Sequence, residues 1–161
     1  MELCRRNVGW HLVVSETRRV VVSSLTLSGA VGIFALSFGV ASVSAGASVW
    51  QTCALSLFVF TGASQFSAMS VVGAGGSMLA AYGGAVLLAA RNLVYGLALS
   101  SSAKSVAGNL PRRLFAAYFV IDETTALALA ESSPKLRKIA FWTTGIGLFS
   151  FWNLGTLIGA M

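Results

Sequence analysis

Charged residues are scarce in this sequence and make up 10% of its 161 residues, whereas an ordinary soluble domain carries roughly a quarter. No Asp, Glu, Lys or Arg occurs between Arg19 and Arg91. A soluble core needs no apolar stretch of that length, so this absence argues against a soluble globular protein. Since one membrane crossing takes roughly 20 apolar residues, residues 20–90 have room for about three passes with their turns.

Histidine, aspartate and cysteine are also too few for most catalytic or metal-binding sites. The only histidine, His11, precedes the first apolar segment, and a zinc site of the zincin type needs two on one helix. Asp122 is the only aspartate, which excludes a two-Asp membrane protease, and residues 62–66 lack the final glycine of a nucleophile elbow. Cys4 and Cys53 form no metal or redox motif. We therefore expect no enzymatic activity, no cofactor and no bound metal.

The apolar sequence predicts an all-α, polytopic helical membrane protein with about five hydrophobic segments. These segments are residues 20–44, 49–72, 78–100, 114–130 and 139–161. At least one of them is expected to be broken or re-entrant, because residues 61–65 place polar atoms and a glycine in the middle of the second segment. The chain then divides into a basic cytosolic or interfacial N-terminal segment, residues 1–19, and a single transmembrane domain, residues 20–161.

The net charge of +6 comes from basic residues that flank the apolar segments. Such flanks orient helices and contact anionic membrane lipid, and because no aromatic residues are interleaved with them we expect no nucleic-acid binding. Arg18 and Arg19 before an apolar run also resemble a signal peptide. Residues 20–40 exceed the usual ~7–15-residue apolar core of such a peptide, so we favour an uncleaved first helix.

The basic residues create a conflict in topology. Three full crossings from a cytosolic N-terminus would place Lys104, Arg112 and Arg113 outside, against the positive-inside bias. A re-entrant second segment removes the conflict, and an exception to the rule is the alternative.

Three ionisable residues lie in apolar surroundings, namely Arg91, Asp122 and Glu123. A charge at the centre of a membrane helix costs roughly 2.5–3.5 kcal/mol, so these side chains are expected to face protein or water. Arg91 shares a helix face with Tyr95, and Asn92 lies beside it. Arg91 either forms an ion pair with one of the two acids, extends toward the membrane interface, or binds a substrate carboxylate. The acidic pair either caps a broken helix, pairs with basic residues or carries a proton.

A break in the second segment would leave backbone N–H groups free at one half-helix and carbonyl groups free at the other. This arrangement suits the carboxylate and ammonium groups of an amino acid. The substrate-binding candidates in this segment are Thr61, Gly62, Ser64 and Gln65. The alternative is a close contact of small residues in which Gln65 bonds to a neighbouring helix. Near the end of the chain, Gly155 and Gly159 have the spacing of a close helix crossing, within this chain or in a dimer.

Three motifs, in this order and spacing, are similar to those of a known family. They are residues 60–66 (FTGASQF), residues 91–99 (RNLVYGLAL) and residues 122–124 (DET). From about Gly29 to Met161 the chain resembles the AzlC-type large subunit of branched-chain amino acid exporters. The resemblance implies a multi-pass protein of the bacterial plasma membrane that exports Val, Leu and Ile, with Met as a further candidate. It also implies a partner, a small hydrophobic subunit of the AzlD type.

Two features depart from the family pattern. Members typically have His after the motif Arg, where this chain has Asn92, a neutral amide that cannot take a proton-carrying role. Members usually continue with further hydrophobic helices beyond the position of Met161. A shortened family member that is inactive alone is therefore one alternative.

The leading hypothesis is an integral membrane subunit of a secondary exporter, coupled to proton motive force. Residues 61–66 and 91–95 would line its amino-acid site. The candidates for coupling or ion pairing are Asp122, Glu123 and Thr124. The alternative from another class is a non-transporting membrane scaffold, in which Arg91 and the acidic pair only lock helices together.

Overall fold

The computed structural model describes the backbone of residues 2–161 and the side chains of residues 14–161. Every regular element in this range is a helix, which confirms the all-α class. The helices are α1 (Glu2–Ser44), α2 (Val49–Phe58), α3 (Gly62–Gly73), α4 (Met78–Ala89), α5 (Arg91–Ser100), α6 (Ala103–Ala107), α7 (Leu110–Ala117), α8 (Asp122–Ala130) and α9 (Pro134–Ala160). The predicted division between residues 19 and 20 falls inside α1 and stays a prediction, and the side chains of His11 and Cys4 lie outside the described residues.

Two helical stretches of the described chain are long and apolar enough to cross a membrane. They are Val14–Ser44, within α1, and Met78–Ala107, which comprises α4, α5 and α6. The second stretch is nearly continuous because the backbone at Ala90 keeps right-handed helical angles. Helix α9 has a lower mean hydropathy than these two stretches, and it is the most buried of the described helices. Since it is surrounded by other helices, it needs less apolar surface toward lipid.

Small polar residues and prolines determine where several helices begin. Ser48 accepts a hydrogen bond from the backbone N–H of Gln51 at the start of α2, and Ser77 caps α4 in the same way. The last helix begins at Pro134, five residues before the apolar segment expected from the sequence. Proline suits the first helical position, and the basic residues that follow it continue the helix beyond the apolar stretch.

Helices α1 and α9 run parallel and form the most extensive contact in the bundle. The order of the contacts along both helices shows the direction. Near the beginning of each, Thr144 Oγ1 donates to Ser24 Oγ over 2.9 Å. Further along, Gly32 lies against Phe151. At the far end, Gly39 lies against the backbone of Ala160. The two helices therefore cross the bundle in the same direction, and the contact between them is the main one that holds the bundle together.

Glycines allow α1 and α9 to approach each other closely. A Cβ atom added at Gly155 would lie 2.9 Å from the Cβ of Ala35 and nearer still to the backbone of Gly32. Gly159 lies equally close to the backbone of Leu36. The glycine pair expected from the sequence to mediate a close crossing therefore packs within this chain.

We expect the substitution Gly155→Leu to destabilise the protein strongly, because the new side chain has no room between α9 and α1. Overpacking of a tight interface costs roughly 1–3 kcal/mol, and here the neighbour is backbone that cannot rotate away. Gly29→Leu is the matched control, since no atom lies within 4 Å of a Cβ at that position of α1. Thermal unfolding in detergent measures both variants. Equal melting temperatures for the two would contradict the close α1–α9 packing.

The second predicted segment is a re-entrant hairpin formed by α2 and α3, which we call the first hairpin. Its entry lies near the end of α1, where Ser42 Oγ and Thr52 Oγ1 are 2.8 Å apart. Its exit lies at the same end, because Gly73 is in contact with Ala45. The chain therefore enters the bundle and returns without crossing it, which confirms the expected broken or re-entrant segment.

The fourth predicted segment is a second hairpin, formed by α7 and α8, and not one continuous helix. It enters from the opposite end of the bundle. Before it, the Trp142 indole N–H of α9 donates to the Val106 carbonyl over 2.9 Å. After it, Glu131 pairs with Arg19 of α1 over 3.0 Å. Asp122 is thus the first residue of a short helix and does not lie at the centre of a continuous one. We call α7 and α8 the second hairpin.

All described basic side chains except Arg91 lie at one end of the bundle, which we call the basic end. Its members are Arg18, Arg19, Lys104, Arg112, Arg113, Lys135, Arg137 and Lys138. Arg137 connects α9 to the turn before α6 through a 2.5 Å hydrogen bond to Ser102. The connections at the opposite end, residues 45–48 and 74–77, contain no charged residue. Because the first hairpin does not cross, α6 and α7 meet at the basic end, and the topological conflict is resolved.

Candidate functional site

The tips of the two hairpins meet in the middle of the bundle. The Phe60 ring of the first tip stacks on Tyr118 at a centroid distance of 5.7 Å and meets Phe119 edge-on at 6.0 Å. The Tyr118 hydroxyl also donates to the Leu57 carbonyl oxygen. Such aromatic contacts stabilise the arrangement beyond simple burial. Two helix starts, those of α3 and α8, are thereby held side by side.

Gln65 holds the first tip in its broken conformation. This side chain is fully buried. Its Nε2 donates to the carbonyl oxygens of Leu55 and Val59 at the end of α2, and these oxygens also accept the backbone N–H groups of Val59 and Thr61. Its Oε1 accepts a 2.8 Å hydrogen bond from the indole N–H of Trp152 in α9. Gln65 therefore connects the backbone at the end of α2 to the neighbouring helix α9, which corresponds to the alternative placement considered from the sequence.

Thr124 has the equivalent role at the second tip. Its hydroxyl donates to the carbonyl of Phe119 over 2.6 Å and accepts the N–H of Ile121 over 3.1 Å. A threonine side chain that bonds to nearby backbone competes with helix formation and stabilises a helix start. Thr124 is fully buried and belongs to the support of the site.

A cavity of about 360 Å³ lies between the two tips and α1, α5 and α9, and we call it the central cavity. Its polar wall contains Thr61, Gly62, Ala63, Arg91, Asp122 and Glu123. Its apolar wall contains Val31, Phe34, Phe60, Phe66, Ile121, Leu148 and Trp152. Ligand pockets commonly range from about 300 to 1,000 Å³, so this one is suited to a small molecule. The separation of the two walls suits a molecule that is polar at one end and apolar at the other.

The two helix starts in the cavity differ in charge. The first N–H groups of any helix have no partner within it, and the aligned dipoles make that end positive. Helix α3 has no acidic residue in its first turn, so its free N–H groups are available to an anion. Helix α8 has Asp122 and Glu123 in its first turn, and these carboxylates counter its dipole. The cavity is therefore lined both by a helix start with free N–H groups and by a helix start with two carboxylates.

Arg91 of α5 lines the same cavity and pairs with one of the two carboxylates. Its Nη1 is 2.8 Å from Oδ2 of Asp122, and about two fifths of each side chain is exposed to the cavity or its opening. Glu123 forms no ion pair among the described residues. One of the two adjacent acids therefore meets Arg91, and the other remains available in the cavity.

Comparison with known proteins gives a family match and one similar protein. A family model described as AzlC protein matches residues 26–161. The chain belongs to the AzlC family. An uncharacterized membrane protein of Helicobacter pylori is 28% identical over 132 residues, which are 80% of this chain and 56% of that protein. The chain thus spans about half the length of that relative. No solved structure matches.

The structure brings the three motifs of this AzlC-family membrane protein together at one place. From the first motif, Thr61 and Gly62 line the central cavity, and from the others Arg91, Asp122 and Glu123 do so. These five candidates come from α5 and the two hairpin tips. Their convergence depends on the two hairpins entering from opposite ends.

Five candidates do not line the central cavity, namely Gln65 and Thr124, which support the tips, and Ser64, Asn92 and Tyr95. Ser64 is 1% exposed, and its hydroxyl has no partner. It borders a separate apolar space between α2, α3 and α4. Asn92 and Tyr95 follow Arg91 on α5 and are only partly buried. The Asn92 carbonyl oxygen is buried without a partner.

Sequence reasoning missed the apolar wall of the AzlC-family cavity. Val31 and Phe34 come from α1, and Leu148 and Trp152 come from α9. These residues look like ordinary apolar helix residues in the sequence. Only the parallel packing of α1 and α9 brings them to the hairpin tips, and no local pattern predicts that packing.

Proposed function

We propose that this chain is a subunit of a secondary transporter that exports branched-chain amino acids across the bacterial plasma membrane. One observation carries the proposal, namely a small cavity at the meeting point of two opposed hairpins, with an anion-binding helix end, two carboxylates and an apolar wall. Broken helices that meet in the middle of a bundle are a recurrent design for substrate sites in transporters.

A branched-chain amino acid fits these groups in one orientation. Its carboxylate would accept hydrogen bonds from the free N–H groups at Gly62 and Ala63 in the first turn of α3. Its ammonium group would lie toward Glu123, which has no ion pair among the described residues. Its side chain would then contact the apolar wall, where Phe66 and Leu148 lie. Arg91, paired with Asp122, would lie beside the carboxylate of the bound amino acid and attract its negative charge.

The distribution of charge supports a cytoplasmic location for the basic end. The second hairpin then enters from the cytoplasm and the first hairpin from outside. Movement of either tip would open the central cavity to one side. Glu123 is the stronger candidate for coupling to proton motive force, since Asp122 is engaged by Arg91. A small hydrophobic subunit of the AzlD type would complete the working exporter.

The proposed orientation predicts that both charged ends of the ligand are needed. We expect leucinamide, which lacks the carboxylate, and isocaproate, which lacks the amine, to bind at least about tenfold more weakly than leucine. Hydrogen bonds to charged groups are worth about 1.5–3 kcal/mol, which corresponds to such a factor. Isothermal titration of the protein in lipid nanodiscs measures the three affinities, with glycine as the control that lacks a side chain. Leucinamide binding as tightly as leucine would contradict the assigned carboxylate site.

A further inference from the structure

A groove of about 260 Å³ runs along the outer surface between α5, α6 and α7, and we call it the side groove. Its floor consists of buried apolar residues, among them Leu99, Val106 and Phe141. Its rim contains Leu110 and Leu114, which are both more than 60% exposed. The groove is thus an apolar channel on a surface that would face the lipid.

Among the described residues, Arg113 is the only charged one that lines the side groove. It lies in the first half of α7, near the basic end, and its side chain is exposed. The ion pairs of the described residues are Arg19 with Glu131 and Arg91 with Asp122, so Arg113 has no acidic partner among them. A cation without a counter-ion therefore lies beside an apolar channel.

We propose that the side groove binds an anionic phospholipid of the cytoplasmic leaflet. One acyl chain lies along the apolar floor, and the phosphate pairs with Arg113. A long arginine side chain lets its charged end reach the headgroup level while its methylene groups remain in apolar surroundings. The basic end adds to the attraction, because Lys104 and Arg112 lie in the same region.

The lining of the groove favours an anionic lipid. Thirteen described residues line it, and all of them except Arg113 are uncharged. An apolar groove with one cation near the basic end matches the acyl chain and the negative headgroup of a phospholipid.

Native mass spectrometry with dioleoyl phosphatidylglycerol and dioleoyl phosphatidylcholine tests the proposal on the purified full chain. We expect the wild type to retain phosphatidylglycerol in preference to phosphatidylcholine. Arg113→Gln should weaken that preference about fivefold, in line with the attraction of one basic residue to an anionic membrane. Arg113→Lys should keep most of it. Arg112→Gln is the matched control, because it removes the same charge at the next position, outside the groove.

A second variant tests the apolar part of the site. No atom lies within 4 Å of a Cβ at Gly96, so Gly96→Leu places a side chain in the groove without disturbing its neighbours. We expect this variant to lose bound phosphatidylglycerol while keeping its melting temperature. Equal effects of Arg113→Gln and Arg112→Gln, or full retention in Gly96→Leu, would overturn the proposal. A co-purified polypeptide that cross-links to the groove in place of lipid would also overturn it.

Discussion

Neutralising Arg91 and Asp122 together should give a folded protein that no longer exports leucine, whereas neutralising only one of them should destabilise the fold. Each single substitution, Arg91→Gln or Asp122→Asn, leaves the partner charge unpaired inside the bundle. An unpaired charge at the centre of a membrane helix costs roughly 2.5–3.5 kcal/mol, and the exposure of both side chains to the cavity reduces that cost. The double variant has no unpaired charge, so its stability should return toward that of the wild type.

Leucine export by the double variant should stay low even though its stability recovers. If Arg91 contacts the substrate carboxylate, leucine efflux from cells that express the double variant with a small-subunit partner falls at least about tenfold, the factor of one lost charged hydrogen bond. The matched control is the other ion pair, Arg19 with Glu131, at the basic end. Its double neutralisation, Arg19→Gln with Glu131→Gln, should leave efflux per folded protein unchanged.

The same experiment separates the transporter from the scaffold alternative. Wild-type efflux in the Arg91 and Asp122 double variant would show that the pair only locks helices. No added efflux from the inserted wild-type chain, with or without a partner, would contradict the transport proposal itself. The lipid preference of the side groove is independent of both outcomes, since Arg113 and Gly96 lie outside the central cavity.

The break in the second segment could be predicted because its cause is local. Residues 61–65 combine low helix propensity with polar side chains in an apolar run. The positions of Lys104 and Arg113 pointed to the same conclusion through topology, and the structure places both at the basic end. Two independent signals, one from polarity and one from charge, agreed on a re-entrant segment.

The second hairpin was harder to recognise. Residues 114–130 form a short apolar run, and an acidic pair in its middle is compatible with an ion pair, a proton carrier or a helix cap. The deciding interaction is the Thr124 hydroxyl bonded to the backbone of Phe119 and Ile121. A threonine inside a helix looks the same in sequence as one that ends a helix, so the break was not determined by local pattern.

The two hairpins give the chain an inverted internal symmetry that the sequence barely shows. α1 with the first hairpin runs opposite to α4–α6 with the second hairpin. The corresponding segments, residues 61–65 and 121–125, each begin with a helix start and continue with two buried polar residues. These polar residues are Ser64 and Gln65 in one and Thr124 and Thr125 in the other. At each tip one of these buried side chains bonds to nearby backbone, Gln65 in the first and Thr124 in the second, although the residue types differ.

Gln65→Leu should cause one of the largest losses of stability of any single substitution in this protein. The leucine is close in size but cannot replace the three hydrogen bonds of Gln65, two to the carbonyls of Leu55 and Val59 and one from Trp152. The two carbonyls keep their backbone N–H donors, so each of these lost bonds costs about 0.5–1.5 kcal/mol, whereas the buried indole N–H loses its acceptor at a cost of about 1–3 kcal/mol. A total loss of roughly 3 kcal/mol is expected. The other glutamine, Gln51, is exposed and caps α2, and Gln51→Leu should cost only about 1 kcal/mol.

A double-mutant cycle with Trp152→Phe measures how much the hydrogen bond between Gln65 and Trp152 contributes to stability, and leucine titration shows whether it also affects binding. Trp152→Phe removes one donor and leaves Gln65 Oε1 alone, so it should cost about 1–3 kcal/mol by itself. With Gln65→Leu also present, the shared bond is already lost, and the two effects should fall short of additivity by about 0.5–3 kcal/mol. Thermal unfolding in detergent gives the four stabilities, and leucine titration of the folded variants gives their affinities. Strict additivity would mean that the hydrogen bond between Gln65 and Trp152 contributes nothing to the stability of the first tip. Unchanged leucine affinity in folded Trp152→Phe would show that the indole N–H of Trp152 stabilises the first tip and does not contribute to leucine binding.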